Sequence, residues 1–205
     1  MNITIFGATG RVGSEFLHHA LEDGHKVTAL VRSTSKLPPH KNLTIYIGDI
    51  RKAYDVQEAV KGADSVFSAI GTDKTTTLSD AIPLIIEAMN QHGVKRIITI
   101  GTAGILQSRT DPKVYRFLST ESKRRLTFAA EEHANVYEKL ADTKLEWTVV
   151  CPTYLPQGEA TGQWRAERNF LPDNGVEISV GDTALFAYKE MLKPQYMATR
   201  VGIAY

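Results

Sequence analysis

The chain has 205 residues, 42% of them hydrophobic and 23% charged, with a formal net charge of +1. That length suits one large domain whose core needs no staples, and so small a charge offers no field to attract nucleic acid or an anionic membrane. The single cysteine, Cys151, excludes an internal disulfide, and no apolar run reaches the roughly 18 residues of a membrane span. Residues 1–6 carry no leader pattern, so a soluble cytoplasmic protein is the expectation.

Short β-branched runs alternate with helical patterns along the chain. The first run, "NITIF" (2–6), enters "GATGRVG", with glycines at 7, 10 and 13, and a helix is expected over about 11–23. Then come "KVTALV" (26–31), "LTIYIG" (43–48), a helix near 53–61, "SVFSAI" (65–70) and a helix over 78–92 closed by "HG". "RIITIG" (96–101), a helix near 120–142 and "EWTVVC" (146–151) follow. Runs that are apolar nearly throughout fit strands buried on both faces. Strands alternating with helices imply right-handed βαβ units, hence a Rossmann-type doubly wound parallel sheet in a single α/β domain. The Pro- and Gly-rich segment 152–175 reads as a loop-rich insertion with room for a short strand. A helix near 181–193 and a strand near 199–205 close the chain.

The glycine pattern gains meaning from its place between a buried-type strand and a helix. Gly7 suits the tight turn, Gly10 lets the backbone approach a pyrophosphate, and Gly13 lets the helix pack on the strand. Gly7, Thr9, Gly10, Arg11, Val12 and Gly13 are therefore the expected phosphate cradle; the alternative is a strand–helix turn with no ligand. After the second strand, an NAD site needs a carboxylate for the ribose 2′-hydroxyl. This sequence has Arg32 and Ser33 there. Arginine pairs with a 2′-phosphate, which predicts NADP(H) in preference to NAD(H), and Arg11 would be a second cation. Both arginines are otherwise solvated surface charges. In "GDI", Asp49 and Ile50 are placed at the adenine, unless Asp49 only shapes a turn. In "AIGT", Ala69, Ile70, Gly71 and Thr72 would pass the cofactor ribose. Pro152 and Thr153, at the end of the sixth strand, complete the expected cofactor set.

These stretches together resemble the atypical short-chain dehydrogenase/reductases, in their NAD(P)H-binding branch, and most of all the flavin reductase and biliverdin-IXβ reductase type. "ITIFGATGRVG", "VTALVRS", "GDI", "AIGTDKTTT", "EAMNQHGVKRIITIGTAG", "LEWTVVCPTYL" and "ATGQW" occur in that family's order over essentially the whole chain. The resemblance implies one Rossmann domain, a monomer or small homo-oligomer.

One feature of most short-chain dehydrogenases is missing. None of the eight tyrosines has a lysine four residues on. Without that pair, alcohol–ketone chemistry and sugar epimerisation or dehydration lose their proton shuttle. What remains is NADPH-dependent hydride transfer to a flavin, quinone or tetrapyrrole-like acceptor, for which the cofactor supplies the chemistry and the protein the orientation. Thr102 stands where the family has a serine or threonine hydroxyl, and Tyr154 where the mammalian flavin reductases have histidine; both are candidate catalytic groups. A tyrosine, with a pKa near 10, is a weaker proton donor than histidinium. Thr102 as a strand-end cap, and Tyr154 as pocket wall or core, are the alternatives. A non-catalytic redox sensor of the nitrogen-metabolite-repressor kind shares the fold and also lacks the pair. The six histidines are dispersed, so no metal site is expected. Cys151 reads as a buried, inert thiol, "ESKRRL" (121–126) as a solvated helical face and Trp147 as core. Trp164 either stacks on a planar substrate or fills a gap.

Overall fold

A computed structural model describes residues 1–33, 37–72, 74–122 and 126–205. Its strands are β1 (Asn2–Phe6), β2 (Lys26–Val31), β3 (Leu43–Ile47), β4 (Ser65–Ser68), β5 (Arg96–Ile100), β6 (Glu146–Pro152), β7 (Arg165–Arg168) and β8 (Thr199–Ala204). The helices are α1 (Arg11–Glu22), α2 (Ala53–Val60), α3 (Thr77–His92), α4 (Phe128–Ala141) and α5 (Val180–Leu192). The strands form one eight-stranded sheet in the order β3-β2-β1-β4-β5-β6-β8-β7. Every pairing is parallel except β7 with β8. The strand order reverses between β1 and β4, and such a reversal opens a crevice at the carboxyl ends of the strands.

Alternation along the strands feeds two cores. Ile3, Ile5, Phe67, Ile98 and Val150 face α1 and α5. Phe6, Val66, Ile97 and Val149 face α2, α3 and α4. Phe16 of α1 stacks on Phe67 of β4 with ring centroids 3.7 Å apart. Trp147 is buried in the second core, as its sequence context predicts. Gly93 ends α3 in the left-handed conformation, φ 70°, which the His92-Gly93 pair anticipates. Among the described residues, no helix is long and apolar enough to cross a membrane.

Two expected boundaries move. The fourth strand stops at Ser68, because the chain turns at Ala69 to lay its carbonyl against Gly7. The fourth long helix begins at Phe128, not near 120. Glu121 is taken by other partners: it accepts from Ser108 Oγ at 2.7 Å and from Thr110 N at 3.0 Å, and pairs with Arg116 at 3.3 Å. Those tertiary bonds hold residues up to 122 in turns and override local helix preference. The basic centre of "ESKRRL", residues 123–125, lies outside the described residues.

One buried carboxylate ties the insertion to α5 and to Tyr205. Asp182, in the first turn of α5, accepts from Thr161 N (2.9 Å), Thr161 Oγ1 (2.7 Å), Gly162 N (2.7 Å) and Tyr205 Oη (2.7 Å). Burial by itself raises this carboxyl's pKa, but bonds from Tyr205, Thr161 and Gly162 outweigh it and hold it below the usual aspartate range. A lowered folded pKa stabilises the fold above the unfolded value near 3.9, and that contribution is lost as pH falls through the folded value. Asp182→Asn places an amide among donors, so it is expected to cost about 1–3 kcal/mol at pH 7. Denaturant titrations at falling pH are the check: below about pH 4 the gap between wild type and variant closes.

Candidate functional site

A cleft of about 420 Å3 opens at the carboxyl ends of β1 to β4. Its walls are Gly7, Thr9 and Gly10 of the glycine loop and Leu30 to Arg32 at the end of β2. Gly48 to Arg51 after β3, Ala69 to Gly71 after β4, and Thr77 complete it.

The three glycines are required for different reasons. Gly7 has φ 86°, and a Cβ there would sit 2.5 Å from the Ala69 carbonyl oxygen. A Cβ on Gly13 would lie 2.0 Å from the Gly7 oxygen. Backbone packing alone explains both. At Gly10 the nearest atom to a Cβ is Gly7 O at 3.2 Å, and Gly10 borders the cleft. Gly10 is also the N-cap of α1; it brings no side-chain cap, and the first turn holds no acid. The first-turn N–H groups of a helix have no partner within it and carry partial positive charge. An uncapped helix start that borders the cleft at Gly10 fits a pyrophosphate.

The cleft brings together Gly7, Thr9, Gly10, Arg32, Asp49, Ile50, Ala69, Ile70 and Gly71 of the expected cofactor set. Ser33 and Thr72 lie one residue beyond its lining. Val12 and Gly13 are buried behind it in the α1 packing. Arg11 turns away, and its Nη1 donates to the Leu155 carbonyl at 2.8 Å. That bond joins the glycine loop to the segment after β6. Asp49 Oδ1 accepts from Arg51 N at 2.9 Å, so one oxygen of Asp49 shapes the turn. Asp73 of "AIGTDKTTT" lies outside the described residues. Sequence reasoning missed Arg51 and Thr77 as cleft residues; a cation directly after "GDI" was the available signal.

The remaining candidates, which follow β5 and β6, do not line this cleft. Pro152 ends β6 in the core, and Thr153 Oγ1 donates to the Val176 carbonyl at 3.2 Å. Thr102 follows β5, is buried, and its Oγ1 accepts from Gly104 N at 3.4 Å, capping a short 3-10 turn. Tyr154 is 67% exposed, so it is not core, and its backbone bridges to Glu177. Trp164 packs on α5, its ring 5.6 Å from Phe186 in a T-shaped contact, with Lys189 Nζ 5.1 Å from its centroid, and it lines a second, separate cleft with Tyr196. Cys151 is fully buried in β6, and burial pushes its thiol up to about 12. Among the described residues, no group of three or more His, Cys, Asp or Glu side chains converges as metal ligands.

Similar proteins match this chain over most of its length. YwnB of Bacillus subtilis is 27% identical, over 99% of this chain and 98% of that protein. The photosystem II assembly factor Ycf39 of Synechocystis is 29% identical over 92% of this chain, which spans 54% of its length. A candidate NADH-flavin reductase from Streptococcus pneumoniae superposes with a TM-score of 0.86 at 24% identity, covering 100% of this chain and 99% of the other. The anaerobilin reductase ChuY of Escherichia coli O157:H7 superposes with a TM-score of 0.79 at 21% identity, over 100% and 97% of the two chains. The profile of one family, described as NAD(P)H-binding, matches residues 7–194, and this chain belongs to that family.

Proposed function

We propose that this protein is an NADPH-dependent reductase that passes hydride to a flavin, a quinone or a tetrapyrrole-like acceptor. The observation that carries the reading is the cleft itself: an uncapped helix start faces it, and Arg32 stands at the end of β2 where an NAD site needs a carboxylate. The fold is shared with proteins designated as an NADH-flavin reductase and an anaerobilin reductase.

A reduced nicotinamide, when bound, supplies the hydride. The glycine loop and the α1 N-terminus would hold the diphosphate by N–H donation. Arg32 would pair with a 2′-phosphate, which a carboxylate there would repel. Ala69 to Gly71 would face the ribose, and Thr102 and Tyr154 are the candidate groups for the acceptor. No Tyr-x-x-x-Lys pair is present to shuttle a proton, so the acceptors are those that take hydride with little acid help, and solvent supplies the proton. The protein's contribution is orientation and exclusion of competing geometries. We place it in the cytoplasm, acting on small molecules.

NADPH is expected to bind at least roughly tenfold tighter than NADH, the worth of one charge-assisted contact of about 1.5–3 kcal/mol. Arg32→Glu is expected to remove that preference while leaving NADH affinity little changed. Intrinsic-fluorescence titration of both cofactors measures it, and equal affinities in the wild type would refute the NADP assignment.

Tyr154→Phe is expected to lower kcat on a flavin by about tenfold or less, whereas loss of an essential proton donor typically costs about 10²–10⁴. Gly10→Val is expected to abolish both NADPH binding and turnover, because its side chain enters the pyrophosphate space. Steady-state kinetics with NADPH against flavins, quinones and biliverdins test both variants. A thousandfold loss in Tyr154→Phe with binding intact would make Tyr154 the acid. Tight NADPH binding with no turnover on any acceptor would mark a sensor instead.

A further inference from the structure

The cleft holds a second arginine that the reading above does not use. Arg51 follows Asp49 and Ile50 into the lining after β3. Its Nη2 donates to Thr75 Oγ1 at 3.0 Å and to Thr77 Oγ1, and its Nε lies 3.5 Å from Asp80 Oδ2. Thr75, Thr77 and Asp80 belong to the approach and first turns of α3, after β4. The helices α2 and α3 pack side by side, so this link joins the turn after β3 to the start of α3. Arg51 is a strap along the α2 and α3 side of the cleft.

Stability does not account for this arrangement. The Arg51 and Asp80 side chains are 43% and 47% exposed, and pairs so exposed contribute about 0–1 kcal/mol. The guanidinium also stands near the N-terminus of α3, where the helix dipole disfavours a cation. What the contacts do achieve is orientation. Nη2 and Nε lie on one edge of the guanidinium, and that edge is anchored to two hydroxyls and a carboxylate. The planar faces remain for stacking, which an ammonium cannot do.

We infer that Arg51 is a specificity-determining clasp for the adenosine half of a dinucleotide, its face stacked on the purine and its edge held by Thr75, Thr77 and Asp80. This rests on the dinucleotide reading of the cleft and adds a role distinct from that of Arg32. Arg32 discriminates the 2′-phosphate, whereas Arg51 recognises the base that NADPH and NADH share.

The test compares three ligands by fluorescence titration: NADPH, NADH and reduced nicotinamide mononucleotide, which lacks adenosine. Arg51→Ala is expected to weaken NADPH and NADH alike by about tenfold, leaving their ratio unchanged. Affinity for the mononucleotide and the melting temperature are expected to stay as in the wild type. Arg51→Lys is expected to behave like Arg51→Ala, since it keeps the charge and loses the plane. Unchanged dinucleotide affinity overturns the clasp. So does a loss confined to NADPH, which would make Arg51 a phosphate ligand, and so does full rescue by lysine. Should Arg51→Ala fail to fold, Thr75→Val with Thr77→Val keeps the arginine and removes its anchors. Equal losses of about threefold for both dinucleotides then support the clasp, and no loss overturns it. A wild-type chain that binds neither dinucleotide defeats the cofactor reading itself and this inference with it; loss only on substitution isolates Arg51.

Discussion

Where β1 turns into α1, three backbone segments meet at distances that leave no room for a Cβ. The Ala69 carbonyl lies against Gly7, and the Gly7 carbonyl lies against Gly13. This contact fixes where α1 starts, how closely it lies on the sheet, and where β4 must turn away. Those three consequences together create the cleft. Gly10, between the two contact points, is less crowded, with a Cβ 3.2 Å from the Gly7 oxygen, and it borders the cleft. Gly7 and Gly13 hold the frame, whereas Gly10 both packs on Gly7 and lines the cleft next to the helix start.

Charge is distributed around that frame by reach as well as by sequence position. Arg11 sits within the glycine loop, yet its guanidinium is spent on the Leu155 carbonyl, outside the cleft lining. Arg51, outside every glycine motif, borders the cleft and bridges to α3. Side-chain length explains the exchange. An arginine reaches far enough from its own Cα that its chemistry is decided by the nearest acceptor, and that acceptor comes from a distant part of the chain.

The same distinction explains what the sequence reveals and what it hides. Strands β1, β2, β5 and β6 lie where their apolar runs place them, within one residue at either end, because burial leaves a continuous local signal; β3 does too, although it is an edge strand with no fully buried residue. Gly7, Thr9, Gly10, Arg32, Asp49, Ile50 and Ala69 to Gly71 of the cleft are legible because each lies at a fixed offset from a strand end. The start of α4 is not legible, since Glu121 answers to Ser108, Thr110 and Arg116 and not to its own helix pattern. Asp182 and Arg51 carry no motif either; their importance comes from partners about 20 or more residues away. The exposure of Tyr154 likewise depends on the bridge between its backbone and Glu177.

The loops after β5 and β6 are held by such distant ties. Arg109, in the loop after β5, pairs with Glu167 at 2.6 Å and with Asp173 at 3.0 Å, and lies 5.1 Å from the centroid of the Phe170 ring. It thereby stitches that loop to the insertion, while Asp182 stitches the insertion to α5. Neither tie touches the glycine contact. Backbone crowding governs the cofactor half, where a single added methyl would meet a carbonyl oxygen. Polar side-chain bonds govern the other half, and each of these is worth only about 1 kcal/mol and is replaceable by another pair. Substitutions at these polar ties therefore act first on the loops after β5 and β6, and they reach the glycine loop through the Arg11 bond to the Leu155 carbonyl and through the packing of α1 on α5.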